Sequence, residues 1–211
     1  PVGLLTENAE PKLVATRDVL RVCFLSRISP KKNLDFALRV MQDVSARVVF
    51  DIYGPVSDRA YWEVCQRLMK SLPQHVRVQY CGAIESRSVP MTLAQYDLLF
   101  LPTRGENYGH VIYEALASGV PVLISDQTPW RGLEDLGVGW DLPLDDVDSF
   151  RKVIDKMAVQ SAEERSQQRH RAKQYGQRVA VDEEAVTANL SLFTALLANT
   201  ESERVGSNEQ L

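Results

Sequence analysis

A chain of 211 residues, 45% hydrophobic and 25% charged, has the composition of an ordinary globular protein with one sizeable core or two small ones. The net charge of −4 argues against a general nucleic-acid or anionic-membrane binder, while leaving room for local basic patches. No apolar run is long enough to span a bilayer, and the start of the chain lacks the pattern of a signal peptide. The three cysteines, Cys23, Cys65 and Cys81, show no metal-like spacing and are expected to be small buried hydrophobes in a reducing compartment. Because the sequence starts at Pro1 rather than Met, a piece of a longer protein is expected.

Residues 1–18 have no sustained periodicity and are read as a linker or edge segment. Residues 19–26 (VLRVCFLS) form the first expected buried strand, followed by a basic loop with a proline turn at residues 27–33. Asn33 is expected to cap a helix whose apolar positions Leu34, Ala37, Leu38, Met41 and Val44 recur at helical spacing. Residues 47–53 read as a second strand ending at Gly54-Pro55. A long amphipathic helix capped by Ser57 or Asp58 then carries Tyr61, Val64, Cys65, Leu68, Met69 and Leu72 on one stripe. Residues 76–81 alternate like a third strand and stop at Gly82, and a short helix around residues 89–96 leads on.

Residues 97–125 (DLLFLPTRGENYGHVIYEALASGVPVLIS) read as strand, loop, helix, strand. The apolar run to Leu101 is closed by Pro102, Gly105 permits a sharp turn, and a helix from Gly109 is stopped at Gly119 before the strand 120–124. An irregular loop at 126–130 and a turn-rich stretch with Gly132, Gly137 and Gly139 follow. Then come a helix from Asp148, a polar helix at 161–178 opened by the capping box Ser161/Glu164, and a last helix after Asp182. The tail from about Asn199 reads as flexible. The domain division is therefore 1–18 linker, 19–160 Rossmann-like domain, 161–198 trailing helices and 199–211 tail.

Strands alternating with helices imply an α/β fold with a doubly wound, mostly parallel sheet. The loops at the carboxyl ends of such strands meet in one crevice, and here they are basic, Gly-rich and acidic by turns. A helix N-terminus beside those ends suits an anion, whereas Glu106 and Glu114 suit hydroxyls such as those of ribose and hexose. The residues thus point to a nucleotide-sugar cradle. The two glutamates alone leave the plainer reading open: a helix-start acid at 106 and a solvated residue at 114.

Three segments resemble the retaining glycosyltransferases of family four, also called group one, which have the GT-B architecture. Residues 106–114 (ENYGHVIYE) are similar to that family's E-x7-E signature, with Gly109 central. Residues 26–33 (SRISPKKN) are similar to its G-R-x-x-P-x-K-G loop, with Arg27 and Lys32 in phase, and residues 114–122 follow its E-A-x-A-x-G-x-P-V continuation. Weaker matches are Tyr53-Gly54-Pro55, Gly82-Ala83-Ile84 and Gly137-Val138-Gly139. The likeness covers roughly residues 20–157 and implies that the chain is the C-terminal, donor-binding half of a GT-B enzyme.

The resemblance implies catalytic roles for Arg27, Lys32 and Glu106: the two cations hold the donor diphosphate and stabilise charge growing on it, and Glu106 meets donor-sugar hydroxyls. It implies that Glu114 accepts from ribose hydroxyls, that amides at Tyr108, Gly109 and His110 lie beside the donor, that Ala83 and Ile84 border the base, and that Gly54 belongs to the substrate site. The ring of His110 either touches the sugar or only fills the first helical turn. No cofactor and no metal are expected beyond a UDP- or GDP-sugar. Asp146-Val147-Asp148 spells the D-x-D of another glycosyltransferase fold but opens an amphipathic helix, so helix capping is the better account.

The sequence departs from the family pattern at Ser26 and Asn33, where glycines are usual, and at Tyr108, where Phe is commoner. Gln127-Thr128-Pro129-Trp130-Arg131-Gly132 also replaces an often-seen Gly-Gly pair and glutamate, near where donor sugar and acceptor meet. The implied function is retaining transfer from a nucleotide-sugar to a glycan or lipid-linked acceptor, as in polysaccharide biosynthesis. The implied partners are the donor and a preceding acceptor domain, with no nucleic acid. The implied location is cytoplasmic, with at most peripheral contact to the inner membrane in the full-length protein. Without that acceptor domain the chain is expected to bind donor but turn over little. The alternatives are a non-catalytic nucleotide-sugar-binding module and a nicotinamide-dependent oxidoreductase; the latter needs a G-x-G-x-x-G that residues 26–30 do not offer.

Overall fold

The computed structural model describes residues 19–181. Segment 1–18, the helix expected after Asp182 and the tail lie outside the described residues. Six strands, β1 (Leu20–Leu25), β2 (Val48–Tyr53), β3 (Val76–Gly82), β4 (Leu98–Leu101), β5 (Val122–Ser125) and β6 (Gly139–Leu142), form one sheet in the order β3-β2-β1-β4-β5-β6. Every pairing is parallel. β4 is apolar throughout and β5 nearly so because both faces are covered: all four residues of each are buried.

Six α-helices connect and follow the strands: α1 (Leu34–Asp43), α2 (Arg59–Lys70), α3 (Val89–Leu93), α4 (His110–Ala117), α5 (Val147–Ala158) and α6 (Ala162–Val181). Strand order runs one way from β1 to β3 and the other way from β4 to β6. Right-handed crossovers then put α1 and α2 on one face, and α3 and α4 on the opposite one. α5 joins the first layer through Phe150, whose ring meets Phe36 of α1 edge-on at 5.1 Å. α6 packs on α4 with almost no side chain between them, since a Cβ on Gly176 would lie 2.4 Å from the Ala117 nitrogen. The buried side of the sheet is completed by Val22, Phe24, Phe50, Ile52 and Phe100.

Local signals explain most boundaries. Asp58 caps α2 by accepting from the Tyr61 amide, and Asp146 caps α5 by accepting from the Ser149 amide, so the D-x-D acid at 146 is a helix cap. The capping box at the start of α6 forms in both directions, Ser161 N–H to Glu164 and Glu164 N–H to Ser161 Oγ. α4 ends in a Schellman pair, with Gly119 (φ 73°) donating to Leu116 and Val120 donating to Ala115. Val120 is thereby held by the helix, and β5 starts at Val122 rather than at 120.

Two expectations are corrected. Asn33 stands before α1 but makes no side-chain cap; it adopts a left-handed conformation (φ 61°), and its amide reaches across to the end of β4. The turn-rich stretch at 132–139 leads into a strand, β6, that local sequence does not announce. Its Gly139 is required because a Cβ there would sit 2.4 Å from the Val122 carbonyl oxygen. Its Asp141 is polar because the carboxylate accepts from the Gly132 and Leu133 amides. The cysteines are free; Cys23 and Cys65 are buried, and burial pushes the Cys65 thiol up to about 11. No helix among the described residues is long and apolar enough to cross a membrane.

Candidate functional site

The order of the sheet reverses between β1 and β4, and the loops leaving their carboxyl ends diverge to opposite layers there. A cavity of about 590 Å³ opens at this point, a volume in the range of small-molecule and cofactor sites. It is lined by Arg27, Lys31 and Lys32 from the loop after β1, Gly54 and Pro55 after β2, Ile84 and Ser86 after β3, and residues 106–111 with Glu114 after β4. Nearly every residue singled out by sequence lines it. Ala83 is the exception: the chain turns at Gly82 (φ 78°), presenting Ile84 to the cavity and leaving Ala83 exposed.

Lys32 and Glu106 form an ion pair on the cavity wall, each side chain only 12% exposed. The pair is reinforced by the backbones that carry it. Arg104 N–H donates to the Lys31 carbonyl at 2.8 Å, Glu106 N–H donates to the Gln127 carbonyl at 3.1 Å, and the Ser125 hydroxyl donates to the Thr103 carbonyl. Asn33, 2% exposed, donates to the Pro102 carbonyl at 2.9 Å and accepts from Arg104 Nε at 3.1 Å. The loops after β1, β4 and β5 are therefore one cross-linked unit. Arg27 is exposed and makes no ion pair among the described residues, so its charge faces the cavity unopposed.

α4 begins at the opposite wall. Gly109 (φ 82°) stands before it, in the left-handed conformation that glycine adopts without strain. Among the described residues, the N–H groups of Gly109, His110 and Val111 find no protein acceptor, which leaves donors and the positive end of the helix dipole at the cavity. Glu114, one turn further, is partly buried; burial raises its carboxyl above the ordinary range, and the neighbouring His110 lowers it in part. A carboxylate so placed is short of water and suited to accept from hydroxyl donors. Tyr108 stacks obliquely on His110, with ring centres 5.0 Å apart.

Sequence reading missed several contributors. Lys31, Ser86, Asn107 and Val111 also line the cavity. Trp130, placed beforehand only in an irregular loop, is buried behind Tyr108 and donates from its indole to the Tyr108 carbonyl at 2.6 Å. Its signal was the departure of residues 127–132 from the family pattern.

The sequence profile described as "Glycosyl transferases group 1" matches residues 6–179. The chain belongs to the group 1 glycosyltransferases. Among curated relatives of this group 1 chain, a GDP-mannose-dependent alpha-(1-6)-phosphatidylinositol monomannoside mannosyltransferase of Mycolicibacterium smegmatis is 33% identical over 109 residues, 48% of this chain and 28% of the relative. The sulfoquinovosyl transferase SQD2 of Arabidopsis thaliana is 27% identical over 103 residues, covering 48% and 18% respectively. Among solved structures, Anabaena HepE in complex with UDP and glucose superposes with a TM-score of 0.67 at 19% identity, over 82% of this chain and 49% of HepE. Sucrose-phosphate synthase of Thermosynechococcus elongatus gives 0.63 at 18% identity, over 83% and 46%. These superpositions bear out the Rossmann-like, GT-B-type fold. The group 1 chain spans less than a third of these curated relatives and about half of these solved chains.

Proposed function

We propose that this chain is the donor-binding half of a retaining glycosyltransferase that moves a sugar from a UDP- or GDP-sugar to a glycan or lipid-linked acceptor. The observation that carries the reading is the meeting of Lys32, Glu106 and the start of α4 around one cavity that Arg27 also lines. Arg27 and Lys32 would receive the diphosphate together with the amides of Gly109 and His110. As the glycosidic bond breaks, negative charge builds on the departing diphosphate, and fixed cations and aligned amides oppose that charge without having to reorganise. Glu106 would accept from donor-sugar hydroxyls, Glu114 from the ribose, and Ile84 would border the base. His110 would close the sugar side, its ring held against Tyr108.

The loops leave the other side of the cavity open to a second body, the acceptor domain expected from the length of the relatives. Alone, the chain would bind donor and transfer little. Cytoplasmic residence, peripheral contact with the inner membrane and a part in polysaccharide assembly belong to the same proposal. Support for the donor class comes from one curated relative whose name specifies GDP-mannose and from a structure of similar fold, HepE, that holds UDP and glucose.

The test is calorimetry of the 211-residue chain with UDP, GDP, ADP and their sugars. Binding of at least one, lost in Lys32→Ala, is the expected result; silence with all of them contradicts the reading.

A further inference from the structure

We propose that Trp130 is a positioning residue for the donor diphosphate, acting through the peptide that joins Tyr108 to Gly109. The inference rests on the nucleotide-sugar reading of the cavity. Trp130 does not line that cavity; it is 6% exposed and stands behind the wall. Its indole N–H donates to the Tyr108 carbonyl oxygen at 2.6 Å. In a planar trans peptide the carbonyl and the following N–H point in opposite directions. A donor fixed on the Tyr108 oxygen therefore fixes the Gly109 N–H on the other side, away from Trp130, and Gly109 itself lines the cavity.

The peptide needs such a hold because of the residue that follows it. Gly109 sits at φ 82° and ψ 58°, and glycine visits both signs of φ with little cost, so the unit between 108 and 109 is free to rotate unless something grips it. No residue of the loop grips the N–H end: among the described residues it has no acceptor. Among the described residues, the carbonyl end is gripped by Trp130 alone.

Trp130 is in turn held from three directions. Its ring lies 6.2 Å from that of Tyr175 on α6 and 5.8 Å from that of Tyr108, both edge-on, and its own N–H donates to the Oγ1 of buried Thr128 at 3.2 Å. An amide pre-aimed at an anion contributes to binding in full, whereas one that must first rotate does not.

The experiment compares diphosphate with monophosphate, because loss of the brace weakens the second phosphate selectively while a general loss of structure weakens both. Trp130→Phe keeps an aromatic ring between Tyr108 and Tyr175 and removes the indole donor together with part of the ring volume, a packing loss that affects both nucleotides alike. Calorimetry on the 211-residue chain with UDP and UMP, and with GDP and GMP, should give a diphosphate-to-monophosphate affinity ratio about tenfold lower in Trp130→Phe, the size of one hydrogen bond to a charged group. An unchanged ratio, with both nucleotides still binding, overturns the role of Trp130 and leaves the site reading intact. No binding of either diphosphate to the unaltered chain overturns both.

Should Trp130→Phe not fold, the indole resonance of Trp130 in ¹⁵N-labelled unaltered protein, assigned by elimination with Trp62→Phe and Trp140→Phe, serves instead. It should shift with UDP or GDP and stay in place with UMP or GMP. A resonance indifferent to the diphosphate that binds overturns the proposal.

Discussion

Lys32 and Glu106, 74 positions apart in the sequence, meet as an ion pair on the wall of the cavity, both side chains largely buried. Lys32 therefore already has an anionic partner before any phosphate arrives, and an incoming diphosphate must compete with Glu106 for it. Glu106→Gln keeps the shape and removes the competitor. Calorimetry should show free UDP or GDP binding about tenfold more tightly in this variant, the worth of one charge-assisted bond. The sugar-bearing form should lose that advantage if, as proposed, the Glu106 carboxylate accepts from its hydroxyls. Equal effects on the two forms would refute the assignment of Glu106.

The same pair makes a stability prediction. Lys32→Met leaves the Glu106 carboxylate buried and unpaired, which should cost about 3 kcal/mol in chemical denaturation. The double variant Lys32→Met with Glu106→Gln should recover most of that loss. A double variant no better than the single one would show that the carboxylate is hydrated when alone.

Glu114 links binding to pH. Burial raises its folded-state pKa above the ordinary glutamate value. As pH climbs between those two values the unfolded chain loses its proton first, so folding stability falls through that window and stays lower above it. Glu114→Gln cannot ionise and should escape the loss. Its melting temperature should exceed that of the unaltered chain at pH 7 and match it in acid below the ordinary glutamate range. Affinity for nucleotide should fall in the same variant, since a ribose acceptor has been weakened. A melting temperature unchanged at pH 7 would contradict the desolvation of Glu114.

Asn33 combines two demands that substitutions can separate. Asn33→Ala loses the bonds to Pro102 and Arg104 and must also hold a Cβ at φ 61°; Asn33→Gly loses the bonds but tolerates the conformation. Urea unfolding should rank the unaltered chain above Asn33→Gly, and Asn33→Gly above Asn33→Ala by about 1 kcal/mol, the cost of a left-handed residue. The reverse ranking would mean that the loop rearranges.

Gly54 has a steric reason independent of any ligand. A Cβ there would lie 1.9 Å from the Ser26 carbonyl oxygen, on backbone at φ 134°. Gly54→Ala should cost about 3 kcal/mol in denaturation, from overpacking plus conformational strain. A fully stable Gly54→Ala would show that the loops after β1 and β2 separate easily.

The strands from β1 to β5 were legible in the sequence because burial writes them either as apolar runs, Leu98–Leu101 being the plainest, or as the alternation of β2 and β3. β6 was not: four residues that include a glycine and an aspartate carry no strand signal. Gly139 and Asp141 are explained only by Val122 and by the amides of Gly132 and Leu133, which are tertiary neighbours. Arg27, Lys32, Glu106 and Glu114 could be named from their motifs, each a local pattern. That Lys32 and Glu106 neutralise one another could not, because their contact depends on the strand order that sets the loop after β1 beside the loop after β4. The cap expected of Asn33 failed for the same reason: its amide is spent on Pro102, remote in sequence. Trp130 looked like loop because its work is done through another residue's backbone.

The contact of Gly176 with Ala117 sets how closely α6 lies against the last turn of α4. With no side chain at 176 to act as a spacer, the two backbones meet directly, while the other end of the same short helix carries the unpaired amides at the cavity. A single methyl group at 176 would push the two helices apart at a place that no residue lining the cavity touches.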